Sequence, residues 1–126
     1  MNTIDIDSVG NMAVSIRTYN PTRENILFID NAGAVQWRYQ NVGTDRNLVK
    51  ITKASDYVLF MKSPPCSWLI FRVADGALLH AFEDTASTST RQHNKAEAME
   101  TDSTHNVYIS LRHNTGTHYI QKFNYL

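Results

Sequence analysis

The chain has 126 residues, 42% of them apolar and 10% aromatic, which is enough for one domain with a buried core and too apolar for a disordered segment. Lys plus Arg and Asp plus Glu both total 12, so no charge excess points to nucleic acid or an anionic membrane surface as partner. One cysteine, Cys66, excludes a disulfide within the chain, and its setting "SPPCSW" offers no basic neighbour to make it a nucleophile.

"MNTIDIDSVG" at the N-terminus lacks the basic start and apolar stretch of a signal peptide, and no segment has the length of a transmembrane helix. The expectation is a cytoplasmic chain or a piece of a longer secreted one, with the compartment open. From Ile4 the sequence runs "IDIDSVGNMAVSIRTY", two β-prone runs joined by a Gly-Asn turn. "ILFIDNAGAVQWRY" follows from Ile26, an apolar run, a turn in which Gly33 can take positive φ, and a further run with Trp37 and Tyr39.

The phrase then returns. "VKITKASDYVLFMKS" from Val49 aligns with the first stretch and "LIFRVADGALLHAF" from Leu69 with the second, Gly76 over Gly33, Leu78 over Val35 and Phe82 over Tyr39. After the polar, Ser/Thr-rich connector "EDTASTSTRQHNKA", a surface loop, "AMETDSTHNVYISLRH" from Ala98 opens a third copy. Asn11, Asp56 and Asn106 open the second run of each copy, and Arg17, Lys62 and Arg112 fall six positions later. The third copy reads "THYIQKFNYL" for its third run and has no fourth. No stretch in these units has a capped helical period.

"ILFI", "VLFM" (58–61) and "WLIF" (68–71) are unbroken apolar runs. Alternation marks a sheet wetted on one face, whereas continuous apolarity marks one covered on both. Small antiparallel sheets covered on both faces and repeated every ~40–50 residues are the blades of a β-propeller. A sandwich is the alternative, although it does not require three copies of one four-stranded unit. The expected fold is all-β: three antiparallel blades over about 1–43, 44–90 and 91–126, the last incomplete. Closed propellers have about 4–8 blades, so three expose their end faces. Pairing of two copies into a six-bladed homodimer, or inclusion in a larger propeller, is the expected remedy.

These residues resemble the blade pattern of arylsulfotransferase-like proteins and, more loosely, of PQQ-type propellers. The pattern falls on Asp5, Asp7, Gly10, Asn11, Ser15, Arg17, Asp30, Gly33 and Trp37, with Asn106, Ser110, Arg112 and His113 in the third copy. The resemblance implies a propeller fold and, in the family's enzymes, sulfate transfer between phenols through a catalytic histidine assisted by basic residues. Under that reading His113, Arg112 and Arg17 are the catalytic candidates. The His-Asp pair of the family's blade head is missing here, with Asn2 and Thr3 in its place, so the expectation is a non-enzymatic scaffold or ligand-binding module.

Arg17, Lys62 and Arg112, if equivalent in every blade, form a basic ring suited to sulfate, phosphate or carboxylate. The plain alternative pairs each with a local acid such as Asp5, Asp7, Glu100 or Asp102. His113 completes the anion-site candidates, and Trp37 and Trp68 are sugar-stacking candidates in a lectin-like alternative, although their places on apolar strands also suit packing. His113 and His118 flank a turn, but with His105 and His93 they make no full ligand set, so neither metal nor cofactor is expected. "DIDSVGN" resembles a calcium loop only faintly, because the other copies do not keep its acids.

Overall fold

The computed structural model describes residues 3–19, 22–42, 46–63, 67–83, 95–112 and 116–125. Among them every regular element is a strand. The first sheet takes β1 (Thr3–Ile6), β2 (Met12–Tyr19), β3 (Thr22–Ile29) and β4 (Val35–Val42) in sequence order. The second takes β5 (Arg46–Ile51), β6 (Tyr57–Ser63), β7 (Ser67–Arg72) and β8 (Leu78–Glu83) in the same way. The third has β9 (Lys95–Thr101), β10 (Asn106–Arg112) and β11 (His118–Asn124). All three are antiparallel meanders and none closes into a barrel. No helix among the described residues is long and apolar enough to cross a membrane.

The turn between the first two strands of each sheet is built by a side chain. Asp7 accepts hydrogen bonds from the N–H groups of Val9 (3.0 Å) and Asn11 (2.9 Å) and from the Asn11 side-chain amide (2.8 Å). Asp102 does the same with Thr104 N–H (2.8 Å), Asn106 N–H (3.1 Å) and the Asn106 amide (3.0 Å). Such carboxylate turns satisfy donors that a tight reversal leaves unpaired. In the second sheet Thr52 takes the acid's place, its hydroxyl donating to Asp56 at 2.6 Å and accepting from Tyr57 N–H at 3.1 Å.

This middle turn is one residue longer. Asp7 N–H donates to Asn11 O and Asp102 N–H to Asn106 O, whereas Thr52 N–H donates to Tyr57 O. The structural equivalents are therefore Asn11, Tyr57 and Asn106, and the alignment of Asp56 with Asn11 is corrected by one position. Strand pairing agrees: Ile6 faces Met12, Ile51 faces Val58 and Thr101 faces Val107. The third-to-fourth-strand turn is also longer by one in the second sheet, Asp30 N–H bonding Ala34 O but Arg72 N–H bonding Ala77 O. Gly33 and Gly76 stay aligned, while Ile26 corresponds to Trp68 and not to Leu69.

With the register set, each sheet has a front and a back, because successive side chains alternate. The front of the first sheet carries Ala13, Ile26, Phe28, Trp37 and Tyr39, and it packs on the back of the second, Val49, Ile51, Val58, Phe60, Leu69 and Phe71. The front of the second, Leu59, Met61, Trp68 and Ile70, packs on the back of the third, Val107, Ile109, Met99 and Phe123. Both contacts run front to back. The second sheet is thus covered on both faces, which is why "VLFM" and "WLIF" are continuously apolar.

Each contact has an aromatic anchor. Tyr39 lies against Phe71 with ring centroids 4.9 Å apart, and Trp68 meets Phe123 edge-on at 4.6 Å. Trp37 stacks on Phe28 at 5.6 Å and donates its indole N–H to Val73 O at 2.9 Å. Its ring lies over Gly76, where a Cβ would stand 2.6 Å from Trp37 Cγ, so this glycine is needed for close approach as well as for its φ of 72°.

Candidate functional site: the cleft along the first strands

β1, β5 and β9 are the first strands of their sheets and lie side by side, β5 in the middle. Asp5, Lys50 and Glu100 occupy one register position in the three, opposite Ala13, Leu59 and Tyr108. Front-facing at that position, they converge. Lys50 Nζ lies 3.3 Å from Asp5 Oδ1 and 3.1 Å from Glu100 Oε2. Asp5 uses its second oxygen to accept from Ile51 N–H at 2.8 Å, which ties the first sheet to the backbone of the second.

Partial burial disfavours the Lys50 ammonium, but its bonds to Glu100 and Asp5 outweigh that and raise its pKa. Partial burial likewise works against the Glu100 carboxylate, and the Thr101 N–H with Lys50 reverses it, leaving the pKa lowered. Both groups therefore stay charged across the neutral range.

The cluster borders an open cleft of ≈ 320 Å³, whose walls include Asp7, Ser8, Lys53 and Ser55. Carboxylates, ammonium groups and hydroxyls alternate around it. Such a surface can accept from and donate to a ligand rich in hydroxyls, whereas Asp5, Asp7 and Glu100 oppose a compact anion.

The residues expected from sequence are placed differently. Arg17 pairs in register with Glu24 and Arg112 with Lys95 and His118, and these two arginines are equivalent. Lys62 pairs with Asn47 and holds the register position of Ile16, so the basic ring is corrected to two equivalent arginines, with Ser63 at the third place. The Arg17 and Lys62 side chains and the whole of His113, His93 and Cys66 lie outside the described residues. Arg112 is half-buried. Trp37 and Trp68 are brought to the two sheet–sheet contacts, where they pack, half-buried, against the cores. Among the described residues no group of three His, Cys, Asp or Glu side chains is arranged to hold a metal.

No protein-family model, curated protein or solved structure matches the chain. The Asp5–Lys50–Glu100 column was missed in the sequence because it changes sign from copy to copy. It was visible there as the second letter of "IDID", "VKIT" and "METD".

Proposed function

We propose that the three sheets are blades of a β-propeller, the third incomplete, and that the chain is a non-enzymatic binding module. Its ligand is a small, hydroxyl-rich molecule of the sugar class, held in the cleft along the first strands. One observation carries this reading. Equivalent positions on three successive first strands, Asp5, Lys50 and Glu100, converge on one charged cluster at the wall of an open polar cleft. Repeated sheets stacked front to back bring equivalent positions of their first strands toward a common axis, where a propeller keeps its channel. The resemblance to arylsulfotransferase-like and PQQ-type blades supports the architecture in the same sense.

The test is a titration of the full chain with a panel of mono- and disaccharides, inorganic sulfate and phosphate, followed by amide chemical shifts. Saccharide-dependent shifts at Ser8, Lys50, Ser55 and Glu100, weakened in Glu100→Gln, are expected. Saccharide response confined to Trp37 and Trp68 would move the site to the sheet contacts. Turnover of a phenolic sulfate, abolished in Arg112→Ala, would overturn the reading in favour of an arylsulfotransferase-like enzyme.

A further inference from the structure

A second open cleft adjoins the one along the first strands. It has a volume of ≈ 280 Å³ and is lined by Asp56, Tyr57, Arg72, Val73 and Ala74, with Ser55 on its rim. Ser55 also lines the first cleft, so the turn after β5 stands between the two and belongs to both. The walls of the second cleft come from the two turns at one end of the middle sheet. Val73 N–H donates to Asp56 O at 2.9 Å and ties those turns together.

The two clefts complement each other chemically. The first is walled by charged groups and hydroxyls, with no aromatic ring among its described walls. The second sets Tyr57, Val73 and Ala74 beside the Arg72 guanidinium. Tyr57 is half-buried, and the buried Tyr125 braces its ring edge-on at 6.0 Å. Arg72 is fixed too, its Nε and Nη2 donating to the two oxygens of Asp75 at 2.9 and 2.6 Å. That bidentate bond neutralises the guanidinium and leaves its Nη1 donors outside the pair. Arg72 therefore offers N–H groups without excess positive charge, which suits a neutral hydroxyl better than an acid. A fixed aromatic ring beside fixed donors matches a sugar ring, which has an apolar C–H face and a polar rim.

We infer that the two clefts are adjacent subsites for one linear, neutral oligosaccharide that crosses the Ser55 rim. One ring sets its hydroxyls among Ser8, Lys50 and Glu100, and the next lays its C–H face on Tyr57 and its hydroxyls on Arg72. The inference rests on the saccharide reading above, and it adds the length and the neutrality of the ligand. Volume agrees with it. Each cleft alone stands at the lower limit of the ~300–1,000 Å³ of small-molecule sites, and the two joined fall inside that range. Once the first ring is seated, the second meets its subsite at a high effective concentration.

Calorimetric titration of the full chain with cello-, manno- and chito-oligosaccharides of one to four rings tests this, with amide shifts recorded alongside. Two rings or more should bind at least about tenfold tighter than one ring of the same sugar. Shifts should then reach Asp56, Tyr57 and Val73 as well as Ser8 and Lys50. Arg72→Gln removes donors from the second cleft and Ala74→Glu fills it, both at exposed positions. Each variant should keep its urea midpoint and its monosaccharide affinity and lose the gain with length. Equal affinity at every length, with shifts confined to Ser8, Lys50 and Glu100, would overturn the second subsite and leave the saccharide reading intact. A gain with length that survives in both variants would overturn the inference as well. Absence of response to every saccharide would overturn both the inference and the reading beneath it.

Discussion

The middle sheet and the first sheet are written in nearly the same alphabet, yet they meet different surroundings. β6 and β7 send alternate side chains into two separate cores, Val58, Phe60, Leu69 and Phe71 to one and Leu59, Met61 and Ile70 to the other. β2 and β3 send Ala13, Ile26 and Phe28 into a core from the front and hold Met12, Val14 and Ile29 on a back with no described sheet over it. Unbroken apolarity in β6 and β7 therefore reflects a sheet packed on both faces, whereas the back of the first sheet is apolar with no described sheet over it.

The largest expected effect comes from the middle sheet. Phe71→Ala should destabilise the chain by about 3–5 kcal/mol in urea unfolding, because the ring is fully buried between two sheets. Val35→Ala, on the open back, should cost under about 1 kcal/mol. Equal costs at the two positions would erase the distinction between the sheets.

Two equivalent glycines sharpen it. Gly33 has φ of 88° with open space beside it, so Gly33→Ala should cost about 1–2 kcal/mol for the left-handed backbone alone. Gly76 lies under Trp37, so Gly76→Ala should cost more, about 2–4 kcal/mol, and loosen the indole. Trp37→Phe, which removes the hydrogen bond to Val73 O across the sheets, should cost about 1 kcal/mol.

The turns differ in their response to acid. Hydrogen bonds from the Asn106 side chain and from Thr104 hold the Asp102 carboxyl well below the usual range. Burial pushes the Asp7 carboxyl up, and the hydrogen bonds it accepts from Asn11 and Val9 together outweigh this and lower it. Depressed folded-state values mean that both turns contribute stability above the unfolded carboxyl value of about 3.9, and that this is lost as pH falls through the folded values. Melting temperature should therefore drop below about pH 4, and Asp102→Asn should flatten that limb. Lys50 has the opposite sign: its contribution is fully present below about pH 10.4 and is lost as pH rises through its raised folded value. The smallest effect is expected at Asp75. Its bond to Arg72 brings its pKa down to about 2, but the pair is solvent-exposed, so Asp75→Asn should leave the urea midpoint unchanged.

The all-β character and the turns were legible in the sequence because the apolar β-prone runs, Gly33 and Gly76, and the Asn11 and Asn106 turns are local signals. The middle register was not. Asp56 resembles Asn11 chemically, but Ser55 takes a positive φ of 58° and the extra residue shifts the whole of β6 by one. That single step placed Lys62 with Arg17 on paper and separates them in the sheet. The ion cluster was hidden for a different reason, since Asp5, Lys50 and Glu100 are alike in position and unlike in charge. Trp37 and Trp68, read from sequence as sugar-stacking candidates or packing residues, lie at the sheet contacts.

The most direct test of the front-to-back stack is a nuclear Overhauser spectrum of the full chain in solution. Cross-peaks joining Tyr39 to Phe71 and Trp68 to Phe123 are predicted, with none joining Tyr39 to Phe123. Contacts linking front to front, or missing contacts between the Tyr39 and Phe71 rings, would contradict the account.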